Sequence, residues 1–513
     1  MAITTDPANL EESEGNKPHK TRIPYLYLSK FSVDIKRLRT VAPHIPILLL
    51  ALAYAIRFAT LTVSVLHNYG EPAFDMAIPD QGLWLLSRFH DPFVTIMGRN
   101  LFGDHSEFIL LLLVPIYWVY PHTAVLLIFQ ALVLAATSIP IYLLARHLLQ
   151  NTVLATLLAA AYLLNPALQQ SNMEQFHVEC VETFLIAIAL YAAVVWRPKL
   201  LLVAIICLLF SNQDAAIFAL PIGIWVAMRR SKRTGFEIIG FSCLAAVLVN
   251  FLIIPLLLGT FNLAATKYSG RLPFNGILGS LKEVIRYPGQ AWAYAMSQGR
   301  PWYLWQMAAG MGFVFILAPE IALIAIIALA INVWTTFGYQ HEIMYHYSMP
   351  IVPILVCGTI WAISRQTHKK RRAILTGIVA IAALWSCIIW GLAPFSDTSY
   401  PYTAYTSSQL AAINQVIDAV PANAAVSAGY DFATALDHRS QIYVWPNPFY
   451  TEYWGTYSIP GVTLPIASKI QYIVMPPSGF ASNYPQVWQS ISSQFHVDIQ
   501  TSEAILYERN AAG

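Results

Sequence analysis

Apolar stretches long enough to cross about 30 Å of hydrocarbon recur along the first 390 residues, and no other feature constrains the fold so strongly. In a chain of 513 residues that is 57% hydrophobic and 11% charged, this excludes an ordinary soluble domain. Backbone polar groups in lipid must be satisfied within the segment, so the expected class is an α-helical polytopic membrane protein. Spans are expected at roughly 43–66, 123–146, 152–167, 180–196, 199–213, 214–229, 236–258, 303–318, 320–338, 346–363 and 374–392, about eleven in all. Residues 108–120 are apolar but too few to cross, against the ~20 a span needs.

Charge arbitrates the threading. If 108–120 lies at the surface, the basic turns at Arg146, Arg197 and Lys199, Arg229–Arg233 and Arg365–Arg372 share one side, as the positive-inside rule requires. Segment 108–120 is then an interfacial helix with Tyr117 and Trp118 as amphipathic anchors. The resulting organisation is a cytoplasmic N-terminal tail (1–42), a transmembrane domain (43–392) with outer loops 67–122 and 259–302, and an extracytoplasmic α/β domain (393–513). Lys17, Lys20, Arg22, Lys30, Lys36, Arg37 and Arg39 place the tail inside, and about 40 polar residues before the first apolar run do not read as a signal peptide. In the last region the composition shifts to Ser, Asn, Asp and Pro. Helices are expected over 409–420 and 486–495, and strands over 424–428, 441–445, 469–475 and 504–508.

The five cysteines (Cys180, Cys207, Cys243, Cys357, Cys387) all lie in or beside apolar spans, which excludes a disulfide-stapled exterior domain. No Asn-x-Ser/Thr acceptor occurs, which favours a bacterial plasma membrane over a secretory-pathway one. With this threading the unusual polar residues share the outer face. They are Asp75, Asp80, Gln81, Asp104, His105 and Glu107 in the first loop, then Glu174, His177, Glu179 and Glu182, then Asn212-Gln213-Asp214, and finally His341, Glu342 and His346. Acidic and imidazole side chains meeting in so uncharged a chain point to one polar cavity.

Plainer readings stand beside each residue. Asp75 and Asp214 each precede a helical run and could be caps. Asp104-His105 could be a solvated turn. His177 and Glu179 are two apart and do not share a helical face, so a metal there needs a loop and a partner such as Asp75 or Asp104. His341 and His346 could be interfacial histidines beside tyrosines.

Phe74-Asp75 with Asp80-Gln81 and Trp84, then Gly103-Asp104-His105, Phe176-His177 with Glu179, and His346-Tyr347 before a span resemble a bacterial family of polytopic proteins of unknown function. That family is grouped with the GT-C superfamily of polyprenyl-phosphate-sugar-dependent glycosyltransferases. The likeness covers most of the membrane region. Two departures are visible. Asn212-Gln213-Asp214 stands where Lys-Glu-Asp is usual, losing a cation and a carboxylate, and Val178 stands where a proline is usual.

The resemblance implies a GT-C-like membrane domain and an inverting sugar transfer from a polyprenyl-phosphate donor to an extracytoplasmic glycan or protein acceptor. An acid of the first outer loop is then the general base, matching Asp75 with Asp104 as second choice. Implied substrate-binding residues are Asp80, Gln81, His105, His177, Asp214, Lys267, Arg271 and His346, and Arg300 offers a further cation. A divalent ion (Mg or Mn) held by Asp104, His177 and Glu179 is the implied cofactor. Membrane lipid is a partner and nucleic acid is not. A transporter or lipid flippase is the rival class, but repeats and broken midplane helices are its usual marks, and no repeat relates the halves here. A non-catalytic envelope-assembly scaffold is the third reading, which the loss of Lys-Glu keeps open.

Overall fold

The structure is a computed structural model that describes residues 42–258, 270–402, 404–453 and 460–511. The basic tail before residue 42 and Lys267 lie outside the described residues. Among the described residues, five helical segments are long and apolar enough to cross a membrane: Ala42–His67, Ala124–Leu149, Lys232–Leu258, His346–Ser364 and Lys369–Trp390. Shorter apolar helices pack among them at Thr152–Leu163, Glu179–Val195, Pro198–Leu209 and Ala216–Arg229.

Local chemistry interrupts several expected spans. The expected span 303–318 is not one helix. Arg300–Ala309 stops at a turn in which Gly312 and Phe313 are both left-handed (φ 55° and 57°), and a 3₁₀ turn, Val314–Leu317, follows. Residues 320–338 hold a 3₁₀ turn, Ala322–Ala325, and then a helix, Ile326–Trp334. In the segment from Lys232, Pro255 has no N–H to give, and the helix opens into a π turn over Val249–Ile253 just before it.

Helix direction sorts the charge. The helix from Ala124 has Arg146 in its last turn, Glu179–Val195 runs into Arg197, Ala216–Arg229 ends on a basic turn, and Ile351–Ser364 runs into Arg365. Their opposite ends adjoin the loop 67–122 and the turns bearing Glu174, Asp214 and His346. One end of the bundle is therefore basic, and the other is acidic and imidazole-bearing.

Residues 108–119 form a 3₁₀ turn, Phe108–Leu113, and a short helix, Val114–Val119. Trp118 is exposed and stacks on Phe89, with ring centroids 6.1 Å apart. Tyr117 is not the second surface anchor expected. It is buried, and its hydroxyl donates to Asp80 Oδ1 at 2.5 Å.

A two-stranded ribbon lies in the first loop, β1 Phe93–Val94 with β2 Arg99–Asn100, and the C-terminal region carries β3 Val426–Ala428, β4 Ile442–Val444, β5 Tyr472–Met475, β6 Phe495–Gln500 and β7 Ile505–Arg509 in a five-stranded sheet of order β4-β3-β5-β7-β6. The β3 strand is parallel to both β4 and β5, and β7 is antiparallel to β5 and β6. Helix Ser407–Ile417 starts with a capping box between Thr406 and Gln409. The expected helix 486–495 ends at Ile491. The chain then enters β6, an exposed, polar edge strand whose alternation is weak in the sequence.

The sheet does not keep its core to itself. Val426, Ala428, Ile442 and Leu506 belong to one buried cluster with Ile413 and Val416, and the same cluster takes in Ala73, Ala77, Val94 and Ile96 of the first loop. First loop and C-terminal region are thus condensed on a common core.

Candidate functional site

The first loop delivers Asp75 on a single π turn, Ala73–Ala77, which runs into the helix Ile78–Ser87. Such turns are rare and concentrate at functional positions. The turn is held from two sides: Ala73 N donates to Tyr430 O at 3.2 Å, and Gln175 Nε2 donates to Pro72 O at 2.8 Å. Asp75 caps nothing, and among the described residues no protein group donates a hydrogen bond to its carboxylate. The side chain is exposed to a cavity of about 1970 Å³. Burial within the protein mass, and then the carboxylates of Glu174 and Asp104, push its pKa up to about 7.

Asp104 is a different kind of acid. It is buried, and its Oδ1 accepts from Arg99 Nε at 3.1 Å and from Arg99 Nη2 at 2.7 Å. Its Oδ2 lies 3.3 Å from His105 Nε2. His105 is held in turn by Gln213, whose Nε2 is 3.3 Å from Nδ1 and whose N–H donates to His105 O. Asn212 donates to Glu179 Oε1 at 3.3 Å, and Ser211 donates to Glu182 Oε1 at 3.0 Å. The Gln213 and Asn212 side-chain amides therefore brace His105 and Glu179.

On the facing wall the turn 172–178 brings three ligating atoms together. Gln175 takes the left-handed conformation (φ 43°), unusual outside glycine, and turns the chain between Glu174 and His177. Gln130 clamps that turn from the helix Ala124–Leu149: Nε2 donates to Asn172 O and Gln175 O, and Oε1 accepts from His177 N at 2.9 Å. Glu174 Oε2 is 3.0 Å from His346 Nδ1 and 3.7 Å from His177 Nε2. The two imidazoles stack with centroids 3.7 Å apart. Desolvation holds Glu174 up to about 7 and brings His177 down to about 3, so His177 is a neutral donor at pH 7. His177 Nε2 is buried without a hydrogen-bond partner.

These three atoms lie within 4.8 Å of one another. Their donor set, two imidazoles and a carboxylate with a cavity at the fourth side, suits a divalent cation of borderline softness. The converging set is Glu174, His177 and His346 rather than Asp104, His177 and Glu179, because Arg99 occupies Asp104 and Asn212 reaches Glu179. Two imidazoles also suit zinc or manganese better than magnesium.

Of the other expected residues, His105, Asp214, Arg271 and His346 line the cavity together with Asp75 and Asp104. Asp80 and Gln81 do not line it. Asp80 is turned to Tyr117 and His438, and Gln81 spans Thr95 and the Arg439 carbonyl. On a helix that starts at the cavity, residues two and three positions after Ile78 are rotated onto the face that meets the C-terminal region. Arg300 is not exposed to the cavity: it is fully buried and donates to the carbonyls of Val333 and Thr335. Sequence reasoning missed Arg99, Gln130 and Gln175. Gln130, an amide isolated in an apolar span, carried a readable signal, since polar groups at such depth are seldom without a partner.

The remaining wall is apolar and includes Ile326, Ile327, Ile331 and Trp334. Helix Ile277–Arg286 beside it exposes Ile277, Leu278, Leu281 and Ile285 along with Lys282 and Arg286, an amphipathic pattern of the kind that lies in a membrane interface.

The helical membrane bundle, with a polar cavity at one end and a small α/β region condensed on the loop beside it, is that of a multi-pass membrane protein, and its fold is similar to that of solved membrane proteins. Apo ArnT from Cupriavidus metallidurans matches it with a TM-score of 0.52 at 10% identity, over 90% of this chain and 98% of that one. ArnT from the same organism bound to undecaprenyl phosphate gives 0.49 at 10% identity, over 91% and 98%. The mycobacterial arabinofuranosyltransferase AftD gives 0.41 at 12% identity, over 89% of this chain and 40% of that one. No curated protein sequence matches. The chain belongs to the family described as Predicted membrane protein (DUF2079), which it matches over residues 70–501.

Proposed function

We propose that the protein is a glycosyltransferase that moves a sugar from a polyprenyl-phosphate donor to an acceptor outside a bacterial plasma membrane, with Asp75 as the general base. The observation that carries this reading is the Asp75 carboxylate, without a protein partner and poised to about 7, on a π turn that lines a cavity with both polar and apolar residues. A base tuned near the working pH combines the right protonation state with useful driving force. Asp104, neutralised by Arg99, is the poorer choice.

In this mechanism the acceptor hydroxyl oxygen attacks the anomeric carbon and gives its proton to an Asp75 oxygen. The new C–O bond forms as the bond from the anomeric carbon to the phosphate oxygen breaks. Polyprenyl phosphate leaves from the opposite face, and the configuration inverts. Arg271 supplies positive charge on the cavity wall for the phosphate. A divalent cation held by Glu174, His177 and His346 would add Lewis-acid stabilisation of phosphate oxygens. The isoleucine wall and the helix Ile277–Arg286 suit a prenyl chain approaching from the bilayer. The basic ends of four helices opposite the cavity support the orientation, with the cavity and the C-terminal region outside.

The test is mass spectrometry of lipids that copurify with wild type and Asp75→Asn. A polyprenyl-phosphate sugar enriched on the variant relative to wild type is the expected result. Absence of such a lipid from both, above a detergent-extract control, would refute the donor class.

A further inference from the structure

A second cluster of ligating side chains lies away from the cavity, where the first loop meets the C-terminal region. Asp80, on the helix Ile78–Ser87, and Asp437 and His438, between β3 and β4, place one ligand atom each within 4.8 Å of one another. His438 Nε2 is 3.2 Å from Asp80 Oδ1 and 3.8 Å from Asp437 Oδ1. Three ligands at about 2.0–2.2 Å from a tetrahedral centre sit about 3.3–3.6 Å apart, so these separations need little adjustment.

Hydrogen bonding leaves the cluster incomplete. Asp80 Oδ1 already accepts from Tyr117 at 2.5 Å and faces His438. Asp80 Oδ2 and Asp437 Oδ2 are both buried without a donor within hydrogen-bond distance, although Thr123 stands near Asp80 and the two carboxylates face each other. The two carboxylates are 0% and 2% exposed, and acceptor oxygens so deprived of water are costly unless something positive meets them. The neighbouring cation does not supply this. Arg439 donates instead to the carbonyls of Leu436, Pro421 and Ala424. Arg88 lies over the Trp84 ring, 4.2 Å from its centroid. His438 is partly exposed and stacked on Trp84, so an ion has a route in and water has room for a fourth position.

We infer that Asp80, Asp437 and His438 form a structural binding site for a divalent transition-metal ion that ties the helix following Asp75 to the C-terminal region. Two carboxylate oxygens and one imidazole suit zinc, manganese or cobalt. Tyr117 orients Asp80 through its hydroxyl, so the same ion fixes the short helix Val114–Val119. This site shares no residue with the Glu174, His177 and His346 cluster, and its occupation is independent of whether the protein transfers sugar.

The test uses the full chain in detergent carrying His177→Ala and His346→Ala, which removes the cavity ligands. After chelation, Co²⁺ is titrated while visible absorption and tryptophan fluorescence are recorded, and retained metal is measured by mass spectrometry. The expected result is about one equivalent bound, with ligand-field absorption and quenching that Trp84→Phe reduces. Asp437→Asn and His438→Gln, each added separately, should weaken binding at least tenfold. His438→Gln keeps a donor for Asp80, so it provides a folded control if the aspartate variant fails to fold. No cobalt bound above the chelated control, or binding unchanged by both substitutions, would overturn the site. So would thermal stability that follows pH but not added metal, since the carboxylates would then be sharing a proton.

Discussion

Asp75→Asn, read against pH, separates a catalytic base from a bystander. With a pKa of about 7, the ionised fraction of Asp75 rises from about one tenth at pH 6 to about nine tenths at pH 8, so kcat/KM should rise roughly tenfold over that interval. A carboxylate in the ordinary range would be fully ionised throughout and would give a flat profile. Loss of the base should lower turnover by about 10²–10⁴-fold and leave the residual rate flat with pH. Glu174 contributes to the upward shift, so Glu174→Gln should move the limb to lower pH while keeping its shape. The stability effect has the opposite sense to that of a paired aspartate. The folded pKa lies above the unfolded one, so folding favours the protonated form, and wild type loses stability as pH rises from about 4 through 7. The asparagine variant carries no such loss and should melt no lower than wild type, with the difference growing between pH 5 and pH 8. The assay is transfer from a synthetic polyprenyl-phosphate sugar in detergent, with circular dichroism melts alongside. A flat wild-type profile between pH 6 and 8, or full activity in Asp75→Asn, would refute the reasoning.

Arg99→Ala strips a buried partner from Asp104, whose side chain is 11% exposed, and should destabilise the protein by about 3–5 kcal/mol; an unchanged melt would show that the pair is not structural. Glu71 is buried with both carboxylate oxygens unpartnered, and burial holds its pKa well above the ordinary range. Glu71→Gln should therefore change stability least near pH 4, below the unfolded pKa, and raise it progressively as pH rises to 8, as measured by thermal melts across that range. Phe89→Cys, on a cysteine-free background, should react with a membrane-impermeant thiol reagent in intact cells, and Gln366→Cys should react only after permeabilisation; the reverse pattern would invert the proposed orientation. Tyr430→Ala keeps the backbone bond to Ala73 but removes a ring 5.2 Å from that of Phe74, and should lower kcat more than it raises KM, which steady-state kinetics would show.

The membrane class was legible because lipid imposes a demand on every residue of a span, and the demand shows in composition alone. The convergence of Asp75, Asp104, His105, Asp214 and His346 on one cavity was legible too, because charge near lipid is scarce. What the sequence withheld was contact geometry. Asp80 and Gln81 are two to three helical positions past Ile78 and face the C-terminal region rather than the cavity, a rotation that depends on the π turn before them. Arg99 and Asp104 read as unrelated residues until the two-residue ribbon Phe93–Val94 and Arg99–Asn100 folds them together. Glu174 and His177 share a face only because Gln175 is left-handed, a conformation that no composition rule assigns to glutamine. The break within 303–318 rests on the conformations of Gly312 and Phe313, which an apolar count cannot weigh.

The common core of first loop and sheet changes what the C-terminal region is for. If Asp75 is the base proposed above, its carboxylate must stay fixed where it lines the cavity, and a lone π turn has few internal bonds with which to hold it. Ala73 and Ala77, on either side of Asp75, are buried in the same cluster as Val426 and Ala428, and the Tyr430 carbonyl takes the hydrogen bond of Ala73. From the other side Gln175, part of the turn that carries Glu174 and His177, holds Pro72. Asp75 thus sits where the sheet and the metal-competent turn both grip the backbone within three residues. Displacement of either grip would move the carboxylate by more than the fraction of an ångström that positioned catalysis tolerates. Under the proposed function the C-terminal region is half of the mounting of Asp75, and residues far from any reacting atom should then control turnover through it.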